Sequence, residues 1–438
     1  MERAVAKGVS EARMEYLHDF HRVGGEFYCE QVPVSKIAEA VGTPVYIYSQ
    51  KTIVEHLEKL QEAFRSLKPL ICFSVKSNGN LAILKLLVQR GAGLDVVSGG
   101  ELFKALHVGC PPSRIVFASV GKTPEEIQAA LSHGIFSFNV ESVAELEAIQ
   151  RAAARMRKVA AVALRINPDV RADTHHYITT GIKESKFGID PESVRRILKR
   201  HKELSAIRLM GFHLHIGSQI SEARPFVEAI KRVSVLIEEG RRLGAALDWL
   251  NLGGGLGIIY KDERPQTPRE YAAAILPLLK KARVRLILEP GRFIVGNAGV
   301  LVAKVVYIKQ AGGKNLAVVD AGMNDLIRPA LYGAYHEVIP VRLSSAESNG
   351  RGRFDIVGPI CESADVFARD RELEGVHAEA LLALLGAGAY GSTMASNYNG
   401  RPRPAEVLVS GKRWAVIHKR ETMQDLIRQD VLPKHLAR

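Results

Sequence analysis

Between residues 70 and 290 the chain repeats one pattern eight times: a short β-branched or aromatic run, then a stretch of helical periodicity. The strand candidates are Leu70–Lys76, Gly93–Ser98, Ile115–Ser119, Phe136–Val140, Ala161–Asn167, Gly211–Ile216, Trp249–Leu252 and Val284–Glu289. Amphipathic stretches such as Leu81–Arg90, Gly100–Val108, Thr123–His133 and Ser142–Arg155 lie between them. Strand–helix alternation of this kind predicts repeated βα units. Eight of them point to an α/β fold, a (β/α)8 TIM-type barrel, rather than a doubly wound sheet.

That reading gives meaning to the polar residues at the strand ends. Lys76 closes the first strand, Asp95 lies in the second, Asn167 closes the fifth, and His215 stands near the end of the sixth. Gly253–Gly255 follow the seventh and Glu289 closes the eighth. In a barrel these ends share one face, the face on which active sites are built.

Beyond about residue 300 the texture changes to apolar β-like segments without regular helices: Val300–Ile308, Leu316–Asp320, Val338–Arg342, Arg353–Val357, Val407–Val409 and Trp414–His418. These predict a C-terminal antiparallel β-barrel or sandwich domain, which also uses the N-terminal strand Glu26–Val34. The expected division is residues 1–42 as a segment joining the β domain, 43–298 as the barrel, and 299–438 as the β domain. Pro44–Ser49 is read as a strand leading into a helix, Lys51–Phe64, that enters the barrel.

Composition bounds the function. The 438 residues suit two domains, and 47% apolar with 24% charged residues describes a soluble globular chain. The longest apolar stretches, such as Ala378–Leu385, fall far short of the roughly 20 residues a membrane helix needs. Met1–Val23 is charged from its second residue and has no apolar core, so export is not expected. Four widely spaced cysteines, Cys29, Cys72, Cys110 and Cys361, fit a reducing cytoplasm. The net charge of +13 comes from basic residues interleaved with acids. The densest run, residues 195–202, reads as a solvated helix face in preference to a nucleic-acid patch.

Several residues have both a chemical and a bland explanation. Lys76, in Phe73-Ser74-Val75-Lys76-Ser77-Asn78, is either an ion-paired or snorkelling lysine or an amine tuned to condense with a carbonyl. Gly253-Gly254-Gly255-Leu256-Gly257 is a phosphate cradle or a tight turn; it comes too late in the chain for a dinucleotide fingerprint. Glu289-Pro290-Gly291-Arg292 forms a compact anion-binding turn in which Glu289 can hydrogen-bond a heterocyclic nitrogen, or else a surface Arg–Glu pair. His213 and His215 share a strand face. No third ligand of suitable context accompanies them, so no metal is expected, and His215 is read as a flat imidazole packed on an aromatic ring. Cys361 alone would be a buried small hydrophobe.

In this order the segments resemble the fold-type III pyridoxal-phosphate decarboxylases, the group of diaminopimelate, ornithine and arginine decarboxylases with alanine racemase as a fold relative. The resemblance runs from about Val23 to the C-terminal domain. Besides the lysine segment, glycine run and Glu289–Arg292 turn, it includes Gly93-Leu94-Asp95-Val96-Val97-Ser98, Ser185-Lys186-Phe187-Gly188, His213-Leu214-His215-Ile216-Gly217-Ser218, Gly358-Pro359-Ile360-Cys361-Glu362-Ser363 and Gly388-Ala389-Tyr390-Gly391. Within the group it is most similar to the diaminopimelate-decarboxylase branch, on the stretch 319–332, Val-Asp-Ala-Gly-Met-Asn-Asp-Leu-Ile-Arg-Pro-Ala-Leu-Tyr. The first twenty residues have no counterpart.

The resemblance implies pyridoxal phosphate held as a Schiff base on Lys76, with Asp95 supporting that end of the barrel. It implies His215 against the pyridine ring and Glu289 at the pyridine nitrogen. Ser218, Gly254, Gly255, Gly291 and Arg292 are implied to hold the phosphate. Cys361 is implied as proton donor, Tyr390 as a neighbour of cofactor and substrate, and a homodimer with shared sites as the assembly. The implied reaction is decarboxylation of meso-2,6-diaminopimelate to L-lysine. Its distal end carries both ammonium and carboxylate, so a site for it needs an anion and a cation: Glu362 and Arg328 are the candidates, with Arg292 and Tyr332 at the carboxylate. Alternatives are a decarboxylase of D-ornithine, D-lysine or carboxynorspermidine, a non-catalytic pyridoxal-phosphate binder, and a sugar-phosphate barrel enzyme.

Overall fold

In the computed structural model, residues 18–168, 170, 186–343 and 352–436 are described. Expectations for the first seventeen residues and for Ser185 lie outside them. The described chain divides into two units.

One unit, residues 54–259 and 263–294, is the expected barrel. Eight parallel strands close in sequence order: Leu70–Ser74, Gly93–Val96, Ile115–Phe117, Ser137–Val140, Ala160–Arg165, Ile207–His213, Trp249–Asn251 and Arg285–Leu288. The strands are short and almost wholly buried, as parallel strands under a helical jacket must be. Helix starts lie on the face where strands end, and each is fixed by its own sequence. Asn80, Ser98, Ser142 and Asp190 accept a backbone N–H of the first turn, and Thr123 and Thr267 form capping boxes with Glu126 and Glu270. The basic run lies on the helix Pro191–Arg200, which buries Val194, Ile197 and Leu198, while Arg195 pairs with Glu192 and Glu239.

Several strands end earlier than the apolar runs predict. The first stops at Ser74, and Lys76 rides on a single 3-10 turn, Val75–Ser77. The sixth begins at Ile207 and stops at His213, with a bulge between Leu209 and Gly211, so His215 lies past the strand instead of alternating along it.

The other unit holds a nine-stranded sheet. Its principal path runs Val366–Leu373, Gly352–Val357, Lys314–Val319, Gly299–Ala311, Val45–Ser49, Ala405–Ser410, Arg413–His418. Leu381–Leu384 pairs with both Gly299–Ala311 and Val338–Pro340. Two pairings are parallel, Lys314–Val319 with Gly352–Val357 and Val45–Ser49 with Ala405–Ser410, so the sheet is mostly rather than wholly antiparallel. Val45–Ser49, expected at the entrance to the barrel, is instead a central strand here. All five of its residues are buried and both its edges are paired. The N-terminal strands Phe20–Val23, Glu26–Cys29 and Val32–Pro33 form a small separate sheet. Phe20, Phe27, Cys29 and Val32 pack into the same core as Val45, Ile47, Val300, Val302 and Val407.

Candidate active site

At the end of the first barrel strand, Lys76 Nζ donates to Asp95 Oδ2 across 3.2 Å. The lysine side chain is 36% exposed and the aspartate wholly buried. Ser74 Oγ lies 2.7 Å from the same oxygen and 3.1 Å from the Glu289 carbonyl, tying the first, second and eighth strands together. Burial raises the Asp95 pKa and the nearby Glu289 charge raises it further, only partly offset by Lys76 and the Ser74 hydroxyl.

Glu289 behaves in the opposite sense, although it too is buried. Asn139 Nδ2, from the fourth strand, donates to its Oε1 at 2.8 Å, and Asn251 Nδ2, from the seventh, donates to the same oxygen at 2.5 Å. His213 Nε2, from the sixth, stands 3.1 Å from Oε2. Burial alone would raise this carboxyl's pKa. The His213 ring, the Lys76 ammonium and the Asn251 amide outweigh it and hold Glu289 below the ordinary carboxylate range. Two buried carboxyls that both feel the charge of one lysine are therefore pushed in opposite directions, an arrangement suited to separate roles.

His215 is half-buried, and its Nδ1 accepts the Gly254 N–H at 3.3 Å, which leaves the ring proton on Nε2. Burial first, then the charges of Arg165 and Lys76, lower its pKa well below the usual value, so the ring is a neutral imidazole. The glycine run is a backbone necessity. Gly253 has φ +64°, and a Cβ there would sit 2.5 Å from the Leu214 carbonyl; at Gly254 it would collide with the Glu289 carbonyl. Gly291 is less tightly placed, a Cβ there lying 3.0 Å from the Ser77 side chain. The next residue, Arg292, makes a cationic corner, in which its Nε and Nη2 stand 3.3 and 3.1 Å from Ser218 Oγ. Lys76, Asp95, His215, Ser218, Gly254, Gly255, Glu289 and Gly291 thus all lie in the strands or the segments that follow them in one barrel, and Arg292 opens the short helix Arg292–Val295 after the eighth.

The remaining candidates belong to the β unit. Arg328 opens the short helix Arg328–Tyr332, which places Tyr332 one turn further on. The guanidinium is buried; it lies 4.6 Å from the Tyr260 ring centroid, and its Nη1 is 2.8 Å from His336 Nε2. His336 Nδ1 is 2.8 Å from the Leu385 carbonyl, so that nitrogen carries the proton and Nε2 accepts from the arginine. Cys361 is an exposed free thiol, contrary to the buried hydrophobe its residue type alone suggests. Its backbone N–H donates to Asn399 Oδ1 at 2.8 Å. Glu362 is exposed and accepts from Tyr398 at 3.4 Å. Tyr390 sits half-buried with φ +56°, in the left-handed region.

Residues 50–296 match the family described as the pyridoxal-binding domain of the pyridoxal-dependent decarboxylases. The chain belongs to that family. Among curated relatives, the diaminopimelate decarboxylase of Neisseria meningitidis serogroup A is 46% identical over 400 residues, 91% of this chain and 97% of the relative. That of Haemophilus influenzae is 46% identical over 402 residues, 92% and 96% respectively. The crystal structure of diaminopimelate decarboxylase from M. jannaschii superposes with a TM-score of 0.90 at 40% identity, covering 96% of this chain and 99% of the other. The Helicobacter pylori enzyme complexed with L-lysine gives 0.86 at 38% identity, covering 90% and 98%.

The barrel residues of this decarboxylase-family chain fit pyridoxal phosphate. A cationic Ser218–Arg292 corner and tight glycine turns suit a phosphate, a lysine amine suits an aldehyde, and a caged carboxylate suits a ring nitrogen. Sequence reasoning missed four polar residues: Asn139, Asn251, Tyr260 and His336. The two asparagines carried a signal, since each stands near a barrel strand end between apolar neighbours. Tyr260 and His336 carried none.

Proposed function

We propose that the chain is a carboxy-lyase that converts meso-2,6-diaminopimelate to L-lysine and CO2. The observation that carries the reading is Glu289, a buried carboxylate held ionised, just past the end of the strand that pairs with the one leading to Lys76. The relatives' shared name supports the substrate.

Bound pyridoxal phosphate supplies an electron sink for the pair left on the α-carbon as CO2 departs. Everything else falls to this chain's residues. Lys76 Nζ is the covalent attachment point, and Asp95 receives the ammonium when the lysine is free. Glu289 keeps a proton on the ring nitrogen by presenting an anion to it. Neutral His215 offers a flat face without a competing positive charge. Ser218, Arg292 and the N–H groups of Gly255 and Gly291 hold the phosphate, and Gly254, whose own N–H goes to His215, lets the turn approach it. Cys361 Sγ gives a proton to the α-carbon after CO2 has left, a role for which an exposed thiol suits better than a buried one. Arg328 and Glu362 recognise the distal carboxylate and ammonium, with Arg292, Tyr332 and Tyr390 against the remainder of the substrate. Two copies form a homodimer in which the Cys361–Glu362 turn serves the partner's site, and the enzyme works in the cytoplasm. Among the described residues no helix is long and apolar enough to cross a membrane.

The test is product analysis with a substrate panel of meso- and L,L-diaminopimelate, D-ornithine, D-lysine and carboxynorspermidine. Stoichiometric L-lysine and CO2 from the meso isomer, with little from the others, is the expected result. Equal or better turnover of a diamine precursor would overturn the substrate assignment.

A further inference from the structure

Glu289 has more partners than its assigned task requires. A carboxylate offers about four lone-pair sites. The amides of Asn139 and Asn251 take both sites of Oε1, and His213 Nε2 takes one on Oε2. One acceptor site on Oε2 is left over. The directions of these bonds are fixed by their surroundings. Asn251 Oδ1 accepts the Gly253 N–H at 2.8 Å, so its amide nitrogen must face the carboxylate. Reversing Asn139 would set its oxygen against the anion. His213 Nδ1 is buried without a partner among the described residues. Nε2 faces the Glu289 carboxylate, so a ring proton belongs on Nε2, pointing at it.

The three donors come from the fourth, sixth and seventh strands, and all three are at most 1% exposed. Their immediate neighbours in the chain, Phe138, Val140, Phe212, Leu214, Leu250 and Leu252, are apolar, and a polar group buried among them costs free energy unless its bonds are made. Structural need alone would be met more cheaply by an apolar quartet, because a satisfied buried charge network rarely stabilises more than well-packed hydrocarbon.

We propose that His213, Asn139 and Asn251 are positioning residues that fix Glu289 with a single acceptor site open, an arrangement that favours a cationic N–H such as a protonated pyridine nitrogen. The inference rests on the cofactor reading above and adds to it the residues that determine the ring's protonation. His213 acts through Glu289 and touches neither cofactor nor substrate. The same bonds couple ring to phosphate, since Asn251 holds both Glu289 and the first glycine of the phosphate turn, and the Glu289 N–H returns to the Gly253 carbonyl at 2.7 Å.

The test compares the holoenzyme with His213→Leu, His213→Gln and Asn139→Leu. Three readouts are taken: the pH dependence of the bound cofactor's visible absorption band, the split between kcat and KM for meso-diaminopimelate, and the melting temperature. Glutamine can donate from its amide where histidine does; leucine cannot. The expected result is a shifted absorption–pH curve in both leucine variants, with kcat reduced about ten- to 100-fold and KM within twofold of the parent. His213→Gln should recover most of both. Unchanged absorption curves in the leucine variants would overturn the proposal. So would His213→Gln failing as badly as His213→Leu with an equal loss of melting temperature, which marks a purely structural role. A parent protein that shows no cofactor band would overturn the cofactor reading itself and this proposal with it.

Discussion

Glu289→Gln perturbs the centre of the site with almost no change of volume. The amide cannot turn its nitrogen toward Oε1's place, where two N–H donors from Asn139 and Asn251 already point. Its oxygen must go there, and its NH2 must take the place of Oε2, facing His213 Nε2. The open acceptor becomes a donor, and the bond to a protonated ring nitrogen is lost. A hydrogen bond to a charged partner contributes about 1.5–3 kcal/mol, which corresponds to roughly a ten- to 150-fold fall in kcat. Folding should suffer less, within about 2 kcal/mol, because weakened bonds are offset by the removal of a buried charge. The sign with pH follows from the lowered carboxyl. Its stabilisation is fully present above the ordinary value of 4.5 and is lost as pH falls toward the folded-state value. The stability difference between parent and variant should therefore be constant above about pH 5 and shrink in acid. The assays are steady-state decarboxylation of meso-diaminopimelate, the visible band, and urea unfolding at several pH values. A variant with kcat within threefold of the parent and an unaltered band would refute the reasoning.

Arg328→Lys should raise KM for meso-diaminopimelate about tenfold or more while changing kcat less, because lysine cannot reproduce the planar contact with Tyr260 or a forked bond to carboxylate; a KM within twofold would argue against the role. Cys361→Ala should lower kcat by about 10²-fold or more with the cofactor band intact, since its exposed side chain has little part in packing. Full turnover in that variant would remove the thiol from the mechanism. In the β unit, burial pushes Asp325 up to about 7, against the Gly322 N–H and the charge of Arg401. An acid raised on folding makes stability fall as pH rises, here from about 4 to 7, by at most about 4 kcal/mol. Asp325→Asn should flatten that fall in melting temperature, and identical slopes would show that Asp325 does not titrate on unfolding.

Much of this architecture could be read from local pattern because each βα unit is specified nearby in the chain. The eight apolar runs and the caps that start the helices need no distant partner to be recognised. The errors arise where distant partners decide. Val45–Ser49 followed by a helix looks like a first βα unit, yet its neighbours in the sheet are Gly299–Ala311 and Ala405–Ser410, some 250 and 360 residues away. Val366–Leu373 escaped notice because four consecutive charged residues, Arg369, Asp370, Arg371 and Glu372, interrupt its apolar pattern and mask its strand character. His213 and His215 seemed a matched pair on one strand. The strand ends between them, and one ring turns to Glu289 while the other meets Gly254. The donors around Glu289 were legible as polar strand ends, but their convergence on one carboxylate depends on barrel closure.

The most direct test of the central claim is where the cofactor is attached. Borohydride reduction of the purified protein, followed by proteolysis and mass spectrometry, should place a single phosphopyridoxyl group on Lys76 and abolish the yellow colour. A label on another lysine, or none on a protein that still decarboxylates meso-diaminopimelate, would contradict the account.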